Sequence, residues 1–156
     1  MGVAKAIGGG FPLGACMATE EAAKGMVAGT HGSTYGGNPL ACAVGAEVMD
    51  IMAEDGFLDH VSRMAGHLRQ KLEGLVDAHP EVLERVRGDG LMLGLVCKAP
   101  AGDVVQAGYD AHILTVPAAE NTVRILPPLN VSEADLDEAV SRLDAACTAV
   151  GKAIKK

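Results

Sequence analysis

A lysine that stands between small apolar residues and a run of three glycines constrains the fold more than any other feature of the sequence. The stretch reads Val3-Ala4-Lys5-Ala6-Ile7-Gly8-Gly9-Gly10-Phe11-Pro12-Leu13-Gly14. The apolar residues predict the end of a buried strand at 3–7, and the glycines predict a sharp turn, because glycine adopts backbone conformations that other residues avoid. If the flanking residues pack, the amine of Lys5 lies in low dielectric, which favours its neutral, nucleophilic form. The local pattern also fits an ordinary lysine at a strand end.

A second stretch places hydroxyl groups between glycines, directly before a helix start. It reads Thr30-His31-Gly32-Ser33-Thr34-Tyr35-Gly36-Gly37-Asn38-Pro39. It has no hydrophobic periodicity and is therefore predicted to be a loop. Asn38-Pro39 is typical of a helix N-terminus, because asparagine caps the free N–H groups and proline has no N–H to leave unpaired. The helix is predicted to reach about Glu54 and to be largely buried, and its positive N-terminal end favours a phosphate near the loop.

Together these two stretches resemble the class III, fold-type I aminotransferases that use pyridoxal 5'-phosphate, most closely the acetylornithine aminotransferase branch. The resemblance covers essentially the whole chain. It implies that Lys5 is the catalytic residue and binds the cofactor covalently, and that Ser33 contacts the substrate. It also implies a homodimer in which Thr34 contacts the cofactor phosphate of the neighbouring subunit.

A third stretch, Asn121-Thr122-Val123-Arg124-Ile125-Leu126-Pro127-Pro128, carries an arginine in a predicted strand. The two prolines stop the strand ladder, and the pattern predicts an edge strand that faces a cleft. A guanidinium group holds a carboxylate through two parallel hydrogen bonds. The resemblance assigns substrate-carboxylate binding to Arg124. The alternative is an edge-strand arginine that pairs with a local acid such as Glu120.

The remainder of the sequence predicts a mixed α and β architecture. Apolar residues recur at helical spacing from Leu58 to Val76, Asp89-Gly90 predicts a hairpin turn, and Ser132 is placed to cap a final helix. The predicted fold class is α/β to α+β, the C-terminal part of a fold-type I aminotransferase. Residues 1–56 are predicted to be a remnant of the large cofactor-binding domain, and 57–156 the small C-terminal α+β domain with a long linking helix.

Composition and charge narrow the possible partners and the compartment. A net charge of −7 argues against nucleic acid, because phosphate binding needs clustered cations. No apolar run approaches the roughly 18 residues of a membrane helix. The four cysteines are far apart and have no histidine at metal-ligand spacing, so they are predicted to be reduced and buried, with no metal site. A cytoplasmic protein is expected.

The resemblance implies transfer of the terminal amino group of N2-acetylornithine to 2-oxoglutarate, a step of arginine biosynthesis. Other class III ω-aminotransferases act on ornithine, 4-aminobutyrate or succinylornithine, and the residues do not decide among these donors. The family groups that hold the cofactor phosphate and ring nitrogen are expected upstream of this stretch. The 156 residues alone are therefore expected to be inactive, and a non-catalytic folded fragment is the remaining alternative.

Overall fold

The structure is a computed structural model that describes residues 1–155. It mixes helices and strands, which confirms the predicted fold class. The chain divides into two compact units, one of residues 1–57 and one that begins at Leu58. The assignment of these parts to a cofactor-domain remnant and a small domain stays a prediction, and Lys156, the last residue of the predicted second domain, lies outside the described residues.

The first unit begins with a short hairpin and a tight turn. Strands β1 (Gly2–Ala4) and β2 (Gly14–Cys16) pair antiparallel, and a 3₁₀ helix covers Lys5–Gly8. The predicted buried strand over residues 3–7 is wrong, since β1 ends at Ala4 and is at most half-buried. The physical reason is that a two-stranded hairpin has no further strand to cover it.

Two helices complete the first unit, and each begins at a capping side chain, of which Asn38 was predicted. The Thr19 hydroxyl accepts from the N–H of Ala22 at the start of α1 (Glu20–Ala23). The Asn38 side chain accepts from the N–H of Ala41 at the start of α2 (Pro39–Ala53). Helix α2 is not largely buried as predicted, because only two of its small residues, Ala41 and Gly45, are buried.

The second unit is built on one four-stranded antiparallel sheet with the strand order β3-β4-β6-β5. The strands are β3 (Leu83–Asp89), β4 (Met92–Cys97), β5 (Val116–Ala118) and β6 (Thr122–Ile125). The predicted hairpin is present but its turn lies one residue later, because Asp89 pairs with Met92 and leaves Gly90 and Leu91 as the turn. Asp89 accepts from the N–H of Gly90 at 2.9 Å.

Three helices pack on one face of this sheet: α3 (Phe57–Ala78), α4 (Ala101–Asp110) and α5 (Glu133–Ile154), which Ser132 caps as predicted. The core is aliphatic, and its fully buried side chains include Leu68, Leu72, Leu83, Leu93, Leu95, Val123, Leu136 and Leu143. Strand residues alternate between faces, so Gly94 and Arg124 lie on the face opposite Leu93 and Val123. Within residues 1–155 no helix has the length and apolar character that crossing a membrane requires.

Candidate functional site

Lys5 is a non-glycine residue in the left-handed backbone region. Its φ is 62°, where Cβ crowds the backbone at a cost of about 1–2 kcal/mol. Its side chain is exposed and makes no hydrogen bond or ion pair with any other of residues 1–155. Backbone strain of this kind persists only where the surrounding structure imposes it, and it clusters at functional sites.

The glycine turn after Lys5 is fixed by backbone hydrogen bonds and close packing. The N–H of Gly9 donates to Ala6 at 2.9 Å, and that of Phe11 donates to Gly8 at 2.8 Å. A Cβ on Gly9, which has a φ of 54°, would lie 2.9 Å from the Val48 side chain of α2. The turn therefore strongly favours glycine at this position, and it follows directly on the 3₁₀ helix that contains Lys5.

Ser33 and Thr34 lie in the turn that precedes α2. The N–H of Gly36 donates to the carbonyl of Ser33 at 3.4 Å. Asn38 links this turn to the helix, because its amide nitrogen donates to the carbonyl of Tyr35 at 2.9 Å while its oxygen caps Ala41. Both hydroxyl-bearing residues are exposed, and neither side chain has a hydrogen-bond partner among residues 1–155. Their hydroxyls are available to a ligand.

Arg124 lies in the second unit, on an interior strand. The edge position predicted from the prolines is wrong, because β6 pairs with β4 on one side and β5 on the other. Arg124 stands opposite Gly94 and Val116 and is exposed, on the face away from the helices. The alternative pairing with Glu120 is absent, because the Glu120 carboxylate forms its ion pair with Arg87.

Asn121 is a residue that the sequence argument missed. Its φ is 50°, and its amide nitrogen donates to the carbonyls of Cys97 and Ala99 at 2.7 and 2.8 Å. Its amide oxygen accepts from the N–H of Ala101 at 2.8 Å, so it caps α4 where Pro100 has no side chain to do so. The sequence signal that could have identified this role is an asparagine between two strands, because asparagine tolerates the left-handed conformation and forms hydrogen bonds with nearby backbone groups.

One charged cluster of the second unit contains potential metal ligands. His67, Glu133 and Asp137 each offer a ligand atom, and these atoms lie within 4.8 Å of one another. The Asp137 carboxylate lies 3.0 Å from the Lys71 ammonium and 2.7 Å from Nε2 of His67. Lys71, and then His67, hold the pKa of Asp137 below its usual range. The cluster is an ion-pair network in which a cation already occupies the approach to Asp137.

The donor groups of the first unit fit pyridoxal phosphate chemically. An exposed primary amine at Lys5 suits the aldehyde, and an exposed hydroxyl at Thr34, close in sequence to the N-terminus of a 15-residue helix, suits the phosphate. Gly10 and Gly37 have positive φ and open space where a side chain would stand. The backbone there leaves room for a ligand to approach.

Comparison with known proteins gives matches along nearly the whole chain. The chain is 65% identical over 150 residues to acetylornithine aminotransferase of Rhodobacter capsulatus, and the match covers 96% of this chain and 38% of that protein. It is 53% identical to acetylornithine aminotransferase of Mesorhizobium japonicum, over 99% of this chain and 39% of that one. The chain thus spans less than half the length of the curated relatives that it matches.

Solved structures show the same fold. Ornithine aminotransferase from Toxoplasma gondii, described with partial occupancy of PLP at its active site, has a TM-score of 0.88 at 29% identity and covers 99% of this chain and 38% of its own. N-acetylornithine aminotransferase from Stenotrophomonas maltophilia has a TM-score of 0.84 at 33% identity, over 97% of this chain and 40% of its own. The family model for aminotransferase class III matches residues 1–147. The chain therefore belongs to the class III aminotransferases.

Proposed function

We propose that this chain contributes to a pyridoxal-phosphate-dependent acetylornithine aminotransferase, which transfers the terminal amino group of N2-acetylornithine to 2-oxoglutarate. The observation that carries the proposal is Lys5, an exposed primary amine on a strained left-handed residue that the glycine turn holds in place. The 65% identity to a protein of that name supports the choice of amino donor.

Each site residue has a role that its chemistry supports. Pyridoxal phosphate, when bound, supplies an electron sink for the bonds at the substrate's amino-bearing carbon. The primary amine of Lys5 is a group that would react with the carbonyl carbon of the cofactor aldehyde, and its Nζ would accept and return a proton as general base and acid. Thr34 donates its hydroxyl to phosphate oxygen, Ser33 orients the amino donor, and Arg124 holds a carboxylate through its two parallel N–H groups.

Assembly, pathway and compartment are part of the same proposal. We place Thr34 at the interface of a homodimer, where it contacts the neighbouring subunit's cofactor, and its exposed turn supports such a contact. The reaction belongs to arginine biosynthesis, through the proposed substrate. The four free thiols fit the reducing conditions of the cytoplasm.

A chimera tests the proposal. These 156 residues replace the matching segment of the Rhodobacter capsulatus relative, and turnover is measured with N2-acetylornithine and 2-oxoglutarate. We expect turnover that Lys5→Ala abolishes, and borohydride reduction should attach the cofactor to Lys5. Lys24→Ala is the matched control, because Lys24 is an exposed lysine of the same unit whose ammonium is ion-paired with Glu21. A label on Lys24, or an active Lys5→Ala chimera, contradicts the assignment.

The amino donor has an alternative that one observation favours. Structural neighbours include ornithine aminotransferase from Toxoplasma gondii with a TM-score of 0.88. A chimera that uses ornithine, 4-aminobutyrate or succinylornithine faster than N2-acetylornithine would assign that donor instead. A folded chimera without turnover on any donor would favour a non-catalytic role for this chain.

A further inference from the structure

Helices α4 and α5 enclose a groove on the surface of the second unit. It has a volume of about 410 Å³, and its apolar lining consists of Ala107 of α4 and of Ala149, Val150, Ala153 and Ile154 of α5. Ile154 is 52% exposed, although it is a large apolar side chain. The groove therefore presents apolar surface that no other part of the second unit covers.

The α4 wall of this groove is acidic. Asp103 and Asp110 line it seven residues apart, with Gln106 between them. Residues at this spacing lie on one face of a helix, so the two carboxylates border the same side of the groove. Both aspartates are exposed, and neither carboxylate forms a hydrogen bond or an ion pair with another of residues 1–155. The wall thus carries two negative charges that are available to a cationic partner.

The α5 side of the groove is basic. Lys152 follows the groove residue Ala149 by three positions, and residues at that spacing are neighbours on a helix surface. Lys152 is exposed and forms no ion pair within the described part of the chain. One helix therefore borders the groove with carboxylates and the other borders it with an ammonium group. Such a surface is complementary in charge to a second copy of itself.

The direction of the two helices determines which charges can meet. Arg142, in the middle of α5, donates to the carbonyl of His112, which follows the end of α4 by two residues. The C-terminal end of α4 therefore lies beside the middle of α5, and its N-terminal end lies beside the end of α5. Asp103 and Lys152 consequently stand at the same level, on opposite sides of the groove.

A two-fold axis parallel to the groove would place α4 of each copy on α5 of the other. Asp103 of each copy would then meet Lys152 of the other copy, and the contact would form two ion pairs. A two-fold axis across the groove would instead place α4 on α4 and set carboxylate against carboxylate, which is unfavourable. Charge complementarity therefore favours the first arrangement.

We infer that the groove between α4 and α5 is a self-association surface, through which two copies of the chain form a symmetric dimer. Both copies use the same patch in a contact of this kind. The contact covers Ile154 and the alanines of the groove, and the Asp103–Lys152 pairs fix its orientation. None of Lys5, Ser33, Thr34 and Arg124 lines the groove, so the inference is independent of the proposed function and of the dimer contact proposed for Thr34.

Charge reversal tests the inference. Sedimentation velocity measures the self-association of the 156-residue chain over a range of concentrations. Asp103→Lys and Lys152→Glu each replace the attractive pairs by repulsive ones, so each variant alone should raise the dimer dissociation constant about tenfold or more. An equimolar mixture of the two variants should restore association, because each pair in the mixed dimer again joins an acid to a lysine.

Asp110→Lys is the matched control. Asp110 lines the same wall, but it lies at the end of α4 that is distant from Lys152. This reversal should leave the dissociation constant within about threefold of that of the parent chain. A chain that remains monomeric at all concentrations overturns the inference. So does a mixture that associates no better than the single variants, or an Asp110→Lys effect as large as that of Asp103→Lys.

Discussion

The two units of the chain differ sharply in how they bury side chains. The second unit encloses a core of fully buried aliphatic residues, among them Leu68, Leu72 and Leu143. The first unit buries only Gly8, Ala41 and Gly45. The motifs that identify the family most specifically nevertheless lie in the first unit, where backbone geometry rather than a packed core determines their positions. The residues proposed to bind the cofactor, Lys5 and Thr34, therefore lie outside the unit that forms the packed core.

Cysteine reactivity should show the largest difference between the units. Cys16 and Cys42 are exposed, against the prediction that all four cysteines are buried, whereas Cys97 and Cys147 are buried. Burial raises the pKa of the Cys147 thiol to about 12. At pH 8 its thiolate population should be about three orders of magnitude below that of an ordinary thiol. Iodoacetamide should label Cys16 and Cys42 in the native chain, and the other two only in urea. Rapid native labelling of Cys147 would show that the second unit opens readily.

Leucine truncation should separate the units energetically. Leu72→Ala removes a fully buried side chain and should lower the free energy of unfolding by about 2–5 kcal/mol. Leu40→Ala is the matched change in the first unit, where the side chain is 62% exposed, and should stay within about 0.5 kcal/mol. Urea unfolding measures both. Comparable losses would mean that Leu40 is covered in solution, and the contrast between the units would fail.

Asn121 should have an intermediate effect, confined to the second unit. Asn121→Ala removes three side-chain hydrogen bonds, each worth about 0.5–1.5 kcal/mol, and places alanine at a φ of 50°. We expect a loss of about 2–4 kcal/mol. Asn121→Gly adopts the same backbone angle without strain but lacks the three hydrogen bonds. It should therefore recover only the part of the lost stability that comes from the strained backbone of the alanine variant. If the glycine variant is as stable as the parent in urea, the side-chain bonds contribute nothing.

The smallest expected effect is the pH response of Asp137. The pKa of Asp137 is lowered in the folded chain. As the pH falls through the ordinary aspartate range near about 4, the unfolded chain therefore binds more protons at this residue than the folded chain does. The stabilisation is present above that range and is lost as the pH falls through the lowered pKa. Carboxyl NMR should find this lowered pKa, and Lys71→Met should bring it back toward its ordinary value by removing the largest cause. An Asp137 pKa that does not respond to Lys71→Met would rule out the ion pair as the cause.

Local signals predicted where elements begin, and longer-range packing determined what they bury. Asn38 and Ser132 cap their helices as predicted, because capping depends on a few neighbouring residues. The burial of α2 and of residues 3–7 was predicted wrongly, because apolar composition shows what a segment can bury and does not show whether a partner covers it.

The candidate site shows the same limit. The Lys5 and Ser33-Thr34 stretches were found from their motifs, yet the left-handed backbone at Lys5 has no sequence signal, since lysine rarely adopts it. The interior position of β6 depends on β5, which is three residues long and interrupted by proline.

The strand order β3-β4-β6-β5 also predicts the order in which the strands pair during folding. Strands β3 and β4 are joined by only two residues, Gly90 and Leu91. Strands β4 and β6 are neighbours in the sheet, but α4 and β5 lie between them in the sequence. Closing the longer loop costs more chain entropy, so the hairpin should form first during folding. The pairing of β3 with β4 would then precede the pairing of β4 with β6. Val86→Ala and Val123→Ala variants test this order by stopped-flow folding. The decrease in folding rate, divided by the loss of stability of the same variant, should be larger for Val86→Ala than for Val123→Ala.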